Sequence, residues 1–288
     1  MRASERGLLM LTCSLGDPGA RPLSAQQYVA VGKLLLRSPS PRPEGEKIRS
    51  DDLRLAGVGE AYSEQILRLL SREEQLDRYL EEARNHGVEV ITRLSEDYPK
   101  ALVERLGDDA PTALFCKGDR SLLRSRFVSL VGSRRLGEIG FSFAERVGAL
   151  AAREGITLVS GGAQGADRTA QDACLRCGGN VLIFTPERLD QLTCGENVLL
   201  ISEGGWELPF SSERALSRNR LIHAMGEKTF VAQCTYRRGG TWRGTQHNLR
   251  YKLSPVFVCE DGTTAASSLI EEGAFGVTEE TLESVFPG

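Results

Sequence analysis

The sequence predicts an α/β fold, with helices on both faces of a mainly parallel sheet and a small helical module in front of it. Residues 127–274 alternate short apolar runs with amphipathic stretches, and glycine or proline separates many of them. This alternation requires crossover connections, which favour parallel strands. Residues 1–85 show mainly helical periodicity. We therefore predict a helical module over residues 1–85 and an α/β domain over residues 86–288.

The first module contains two helical regions separated by a loop. AQQYVAVGKLLLR places Tyr28, Val31 and Leu35 on one helical face, and residues 51–85 return to a helical pattern. The segment SPSPRPEGEK between them is rich in proline and charge, which predicts a loop. The turn at residues 55–59 resembles a helix-hairpin-helix turn whose glycine amides can hold a DNA phosphate, or it is a capping turn between two packed helices.

The α/β domain begins with two short strands, GVEVITRL and ALFCKG, before the regular alternation starts. An apolar run bounded by glycine is typical of a buried parallel strand. The predicted strands are 127–133, 156–162, 180–186, 197–204, 228–234 and, as the last of the chain, 255–260. The predicted helices are 140–155, 166–178, 211–226, 244–253 and 265–274.

Composition limits the possible functions. The net charge is -3, whereas non-specific DNA-binding proteins usually carry a basic surplus. A nucleic-acid role must therefore depend on local arginine clusters. The seven cysteines are odd in number, and several lie in apolar strand-like runs, which favours a reducing cytoplasm over a disulfide framework. We expect a cytoplasmic protein without a membrane partner, because no run of eighteen apolar residues occurs.

The residues that follow the first buried strand are candidates for phosphate binding. In an open parallel sheet, ligands bind outside the carboxyl ends of the strands. Gly132 and Ser133 allow the backbone to approach a ligand, and Arg134 and Arg135 supply forked donors suited to phosphate. The alternative is an ordinary turn with solvated arginines.

A glycine-rich string, SGGAQGAD, follows the second strand. Gly162, Gly165 and their neighbours can surround a phosphate with backbone amides. The string does not match G-x-G-x-x-G and lacks the usual acidic residue about twenty positions later, so we expect no nicotinamide cofactor. Asp167 has a simpler alternative role as a cap of the following helix.

Two later arginine clusters complete the candidate set. Arg218 and Arg220 flank Asn219 within a predicted helix. Either one of the two arginines points into the cleft, or both belong to an ordinary solvated helix face. The string RRGGTWRGT contains Gly240, Thr241 and Arg243. Its tryptophan, Trp242, either stacks on a base or belongs to the core.

Taken in order, these strings resemble the DprA/Smf family of DNA-processing proteins. The resemblance runs from Tyr98 to the end, about two thirds of the chain. The matching elements are Tyr98-Pro99, Leu114-Phe115, Lys117-Gly118-Asp119, Val131-Gly132-Ser133-Arg134, Ser160 to Asp167, Ser202-Glu203, Arg218-Asn219-Arg220, Gly240-Thr241, Leu269-Ile270 and Gly273-Ala274.

The resemblance implies an extended Rossmann-like fold, a homodimer, and a basic pocket that binds single-stranded DNA without changing it chemically. It further implies a role in natural transformation and in loading a RecA-type recombinase. The residues carried over to the phosphate pocket and its wall are Gly132, Ser133, Arg134, Gly161, Gly162, Gly165, Asp167, Arg218, Asn219 and Arg220.

The chain departs from the family pattern at two positions of this pocket. Gln164 stands where the family usually has an arginine, and Gln171 stands where it usually has a histidine. Losing a cation weakens phosphate binding, and Arg135 or Arg243 can compensate for it.

Two alternatives to a DNA-binding function stay open at this point. The first is a nucleotide-binding sensor or nucleotide-processing protein, which the acidic charge and Gln164 favour. The second is a protein-interaction adaptor with a decayed pocket. We expect neither a catalytic set nor a metal site, because His86, His223 and His247 are scattered and no metal-ligand spacing occurs. Each histidine is expected to be structural or exposed.

Overall fold

A computed structural model describes residues 1–38 and 46–286, which form twelve α-helices and nine strands. All nine strands belong to one sheet, in the order β1-β2-β6-β5-β4-β3-β7-β8-β9. The strands are β1 (Val88–Thr92), β2 (Ala113–Gly118), β3 (Phe127–Val131), β4 (Thr157–Ser160), β5 (Val181–Phe184), β6 (Val198–Glu203), β7 (Thr229–Val231), β8 (Val256–Cys259) and β9 (Phe275–Val277). In this order, the seven strands β6, β5, β4, β3, β7, β8 and β9 pair in parallel with their neighbours. Strand β2 pairs antiparallel with both β1 and β6.

Five helices precede the sheet and the others connect or follow its strands. Their bounds are α1 (Ala3–Thr12), α2 (Ala25–Leu36), α3 (Ser50–Leu55), α4 (Glu60–Leu70), α5 (Glu73–Asn85), α6 (Lys100–Leu106), α7 (Glu138–Arg153), α8 (Ala166–Arg176), α9 (Ser212–Met225), α10 (Gly239–Tyr251), α11 (Thr264–Glu271) and α12 (Leu282–Val285). The predicted α/β fold with a mainly parallel sheet and helices on both faces is confirmed.

Two details of the predicted order are wrong. Strand 255–260 is not the last of the chain, because β9 follows it and pairs in parallel with β8. The helix predicted over 244–253 begins earlier, at Gly239. The three residues of β9 are too few for an apolar run to stand out. Two glycines open α10, where their low helix propensity hides the start of the helix.

Apolar side chains fill both faces of the sheet. Leu221, Trp242 and Leu269 belong to the core that includes α9, α10 and α11, and Phe143 and Ala170 belong to the core under α7 and α8. Helices α7 and α8 approach each other closely at Gly148, where a Cβ would lie 2.1 Å from the backbone oxygen of Ala170. Because the faces are closed, the strand ends are the places where the domain can receive a ligand.

The N-terminal helices share a core with the sheet. Leu8 and Leu9 of α1 belong to the same buried cluster as Phe115 of β2 and Leu200 of β6. The division between residues 85 and 86 stays a prediction. Most of the predicted loop SPSPRPEGEK, residues 39–45, lies outside the described residues.

The turn between α3 and α4 has the geometry of a helix cap. Gly57 has a φ of +81°, and the Val58 amide donates to the Leu53 carbonyl over 2.9 Å. A left-handed glycine followed by such a bond closes the end of a helix, which is one of the two interpretations given above. Over the described part of the chain, no helix is both long and apolar enough to cross a membrane.

Candidate functional site

A cleft with a volume of about 510 Å³ lies at the carboxyl end of the parallel strands. Its walls come from the segments that follow β3, β4 and β7, together with α9 and the first turns of α10. This is the edge at which open parallel sheets bind their ligands. Gly132, Ser133 and Arg134 line one wall.

The glycine after β3 is required by helix α8. A Cβ at Gly132 would lie 2.3 Å from the Cβ of Ala166, the first residue of that helix. The neighbouring backbone groups are engaged inside the protein: the Ser133 amide donates to the Gln233 carbonyl over 2.8 Å, and Thr241 Oγ1 donates to the Gly132 carbonyl over 2.8 Å. The backbone at this strand tip therefore holds the cleft together, and Arg134 supplies the charge.

The loop after β4 uses its amides internally as well. Asp167 Oδ2 accepts hydrogen bonds from the amides of Gly161, over 3.1 Å, and Ala163, over 3.2 Å. Gly165 has a φ of +83°, and a Cβ there would lie 2.4 Å from the Ser133 carbonyl oxygen. These glycines therefore allow close packing between loops. Gly162 is exposed and does not line the cleft, so the amide contact to phosphate predicted for this loop stays a prediction.

Arg218 brings a partly buried cation to the cleft. A Cβ at Gly161 would lie 1.4 Å from Arg218 Nη1, so the guanidinium lies directly over that glycine. Burial raises the pKa of the Asp167 carboxyl, and Arg218 together with the two backbone amides opposes this increase. Burial lowers the pKa of Arg218, and Asp167 opposes the decrease. A guanidinium keeps its charge in proteins, so Arg218 is a cation. Its Nε has no hydrogen-bond partner among the described residues.

The N-terminus of α10 forms the opposite wall. This thirteen-residue helix begins at Gly239, with Arg238 before it and no acidic side chain in its first turn. Asn219 Nδ2 donates to the Gly240 carbonyl over 3.3 Å and joins α9 to α10. The first amides of a helix lack partners within the helix, and the helix dipole favours an anion at this end.

Four arginines of the cleft share one property. None of them has a carboxylate within 4.0 Å of its guanidinium in the described part of the chain. They are Arg134, Arg218, Arg238 and Arg243. Among the described lining residues Asp167 is the only acidic one, and backbone amides hold it. The cleft is therefore a cationic site in an acidic chain.

Six predicted site residues are not among those that line the cleft: Gly161, Gly162 and Gly165 in the loop after β4, and Arg135, Gln164 and Arg220. Arg220 forms an ion pair with Glu203 over 2.7 Å and donates to the Asp109 carbonyl, so it points away from the cleft that Arg218 enters. Arg135 is exposed and does not line the cleft. Gln164 lines a separate shallow depression beside α8.

The tryptophan of the RRGGTWRGT string is a core residue. Trp242 is 3% exposed and belongs to the cluster beneath α9 and α10. The core interpretation is therefore confirmed, and the base-stacking interpretation of Trp242 is wrong.

Sequence reasoning missed several cleft residues. Phe210 and Leu216 are 48% and 44% exposed and line the cleft, but they lie in segments whose apolar pattern gives no signal. Arg238 belongs to the RRGGTWRGT string but was not among the site residues predicted from it. His223 also lines the cleft, although it was expected to be structural or exposed.

Comparison with known proteins adds independent information. A family model described as DNA recombination-mediator protein A matches residues 89–285. DNA processing protein DprA of Streptococcus pneumoniae is 30% identical over 199 residues, which cover 64% of this chain and 69% of that protein. Protein Smf of Escherichia coli is 28% identical over 223 residues, which cover 72% of this chain and 58% of that protein.

Solved structures show the same fold. The X-ray structure of DprA from Streptococcus pneumoniae superposes with a TM-score of 0.76 at 23% identity and covers 100% of both chains. A structure of DNA processing protein A from Helicobacter pylori, which gives insights into its single-stranded DNA binding mode, superposes with a TM-score of 0.57 at 25% identity. It covers 66% of this chain and 90% of that one.

The family model covers more than half of the chain, the curated relatives agree with it, and the sheet carries the expected loops at its carboxyl edge. This chain therefore belongs to the DNA recombination-mediator protein A family, also known as the DprA/Smf family.

Proposed function

We propose that this protein binds single-stranded DNA in the cleft at the carboxyl edge of its sheet. The observation that carries the proposal is the set of four guanidiniums in the cleft at the N-terminus of α10, none of which has a carboxylate partner among the described residues. Phosphates are the anions that forked guanidinium donors and free helix amides bind well. The single-stranded DNA binding named for the Helicobacter pylori relative supports this choice of polyanion.

The exposed apolar residues of the cleft suit a nucleic acid with unpaired bases. Phe210 presents an aromatic ring at the cleft, and Leu216 adds an apolar surface on α9. Bases of a single strand stack on such rings irrespective of sequence, whereas the bases of a duplex are already stacked. We therefore expect preference for a single strand over a duplex of the same length.

Binding without chemistry is the simplest activity for this site. The Asp167 carboxylate accepts two backbone hydrogen bonds and is buried, which makes it a structural anchor of the loop after β4. We propose that the protein acts as an accessory factor in natural transformation and recombinase loading, as a cytoplasmic homodimer. An oligonucleotide recovered at its original length after incubation would support binding without cleavage.

A free nucleotide is the second candidate ligand. The cleft volume of about 510 Å³ falls within the usual range for small-molecule sites. This observation favours a nucleotide-binding sensor or nucleotide-processing protein on the same scaffold.

One titration separates these two proposals. Labelled oligothymidine is added to the protein at several salt concentrations, and mononucleotides are then added as competitors. Tight, salt-dependent binding that millimolar mononucleotide does not displace supports the DNA proposal. Saturable mononucleotide binding with no affinity for the oligonucleotide at any salt concentration would favour the sensor and refute the DNA proposal.

A further inference from the structure

His223 occupies the floor of the cleft and has no part in the phosphate contacts proposed above. It lies on α9, four residues after Asn219, so the two side chains share a helical face. The residue is 1% exposed, and it lines the cleft. A buried polar ring at such a position needs partners for both of its nitrogens.

The hydrogen bonds around His223 fix the position of its proton. The Ser254 amide donates to Asn248 Oδ1 over 2.9 Å, so the Asn248 nitrogen, Nδ2, is the donor. Nδ2 lies 3.0 Å from His223 Nδ1, which must therefore accept the hydrogen bond. In a neutral imidazole whose Nδ1 accepts, the proton is on Nε2.

The ring stays uncharged at neutral pH. Burial lowers the pKa of His223 to about 3, and His247 acts in the same direction. A cation is therefore disfavoured at this position, and the Nε2 proton is a neutral hydrogen-bond donor.

This donor has no partner among the described residues, and its side chain lines the cleft. No hydrogen bond is formed by Nε2 within residues 1–38 and 46–286. The residue facing it on α10 is Gly244, where a Cβ would lie 3.1 Å from Nε2 and 3.4 Å from the Cβ of Asn219. Glycine at this position therefore allows α10 to pack closely against the two side chains.

Asn219 places an acceptor on the same face of α9. Its Nδ2 donates to the Gly240 carbonyl, which fixes the amide orientation and leaves Oδ1 without a hydrogen bond among the described residues. A neutral donor and a neutral acceptor on one helical turn match the edge of a nucleobase, which presents both kinds of group.

We propose that His223 Nε2 donates a hydrogen bond to an acceptor on a nucleobase inserted into the cleft, with Asn219 Oδ1 accepting from the same base. The inference rests on the proposed function, because it assigns the base contact of that same site. Arg134, Arg238 and Arg243 are exposed at the rim of the cleft, where their guanidiniums attract the phosphates. The neutral side chains of His223 and Asn219 suit the uncharged base of the nucleotide.

The test compares two oligonucleotides of equal length, one with bases and one with abasic sugars throughout. Both present the same phosphates, so their affinity ratio measures the contribution of the bases. In His223→Phe, which keeps a ring but removes the donor, we expect the preference for the base-containing strand to fall about two- to tenfold, as one hydrogen bond predicts. The abasic affinity and the salt dependence should not change.

Gly244→Ala is the second variant, because it retains the histidine but places a methyl group 3.1 Å from Nε2, which must shift the ring. It should lower the same preference, and it decides the question if His223→Phe does not fold. Arg134→Ala is the matched comparison, since it should weaken binding of both strands equally.

The outcomes separate the inference from the proposed function. If folded His223→Phe or Gly244→Ala keeps the base preference of the unsubstituted protein, His223 does not contact a base and the inference fails alone. If the unsubstituted protein binds neither strand, the proposed function fails and the inference fails with it. Equal weakening of both strands by His223→Phe would assign the residue a structural or phosphate role and also overturn the inference.

Discussion

Replacing two rim arginines, Arg134→Ala and Arg238→Ala together, should reduce the salt dependence of single-strand binding by a predictable amount. Both side chains line the cleft, are exposed and have no ion pair among the described residues. Neither belongs to a buried cluster, so their loss should leave the fold intact. Arg218 is less suitable, because its guanidinium lies over Gly161 and near the buried Asp167.

The magnitude follows from the number of free guanidiniums. Each phosphate contact to a single strand contributes about 0.7 to the slope of log affinity against log salt. Four contacts give a slope of about 2.8 in magnitude, so raising salt from about 50 to 200 mM should weaken binding about fifty-fold. With two contacts removed, the slope should be about 1.4 and the same change of salt should weaken binding about sevenfold.

Fluorescence anisotropy of labelled oligothymidine over this salt range measures the slope directly. The charge-matched control is Arg78→Ala with Arg124→Ala, which removes two exposed arginines without ion pairs among residues 1–38 and 46–286. Arg124 precedes β3 and lies at the opposite end of the strand from the cleft. If both double variants retain the slope of the unsubstituted protein, or both lose it equally, the cleft arginines are not the phosphate contacts.

Three further results are expected from stability measurements by urea unfolding. Trp242→Ala should lower the free energy of unfolding by about 3–5 kcal/mol, because the indole is 3% exposed in the core. Tyr251→Ala, which removes an exposed ring, should change it by no more than about 0.5 kcal/mol, and an equally small loss for Trp242→Ala would place the indole outside the core. Gly165→Ala should lower the free energy of unfolding by about 2 kcal/mol or more, and by more than Gly155→Ala does. Both glycines have a positive φ, but only at Gly165 would the added Cβ also lie 2.4 Å from a backbone atom, so equal losses would contradict the packing role of Gly165. The pKa of His223 is about 3 in the folded protein and near 6.5 in the unfolded chain, so protonation of the ring favours unfolding. The neutral ring therefore contributes its full stabilisation above pH 6.5, and this stabilisation is lost progressively as the pH falls towards 3. From pH 7.5 to 5.5 the unsubstituted protein should therefore lose about 1.4 kcal/mol more than His223→Phe, and parallel pH profiles would show that the histidine is not buried in its neutral form.

The order of the central elements could be predicted because burial on both faces imposes a simple pattern. The strands from β3 to β6 are apolar runs of four to six residues, and the residues between them have helical periodicity or turn chemistry. β9 could not be predicted in this way, because its three residues include Gly276 and an exposed Phe275. Its place depends on pairing with β8, which is a tertiary contact.

The candidate site could be located at the strand ends, but the role of each residue could not be assigned. Sequence spacing indicates that Arg218 and Arg220 diverge, yet only the position of Glu203 shows which one is paired. The amides of SGGAQGAD looked available for phosphate because the sequence does not reveal that Asp167 folds back to accept two of them. A carboxylate at a helix start can cap the helix or anchor the preceding loop, and here it does the latter.

The acidic net charge and the cationic cleft are compatible because the charges are arranged unevenly. Many carboxylates outside the cleft are paired: Arg120 contacts both Glu89 and Asp97, and Arg153 contacts Glu283. A pair of opposite charges produces a weak field at a distance. Four guanidiniums beside a helix N-terminus, with no ion pair in the part of the chain that the structure describes, produce a strong local field. Affinity for a polyanion depends on that local field, so the overall charge of -3 limits non-specific attraction without preventing binding in the cleft.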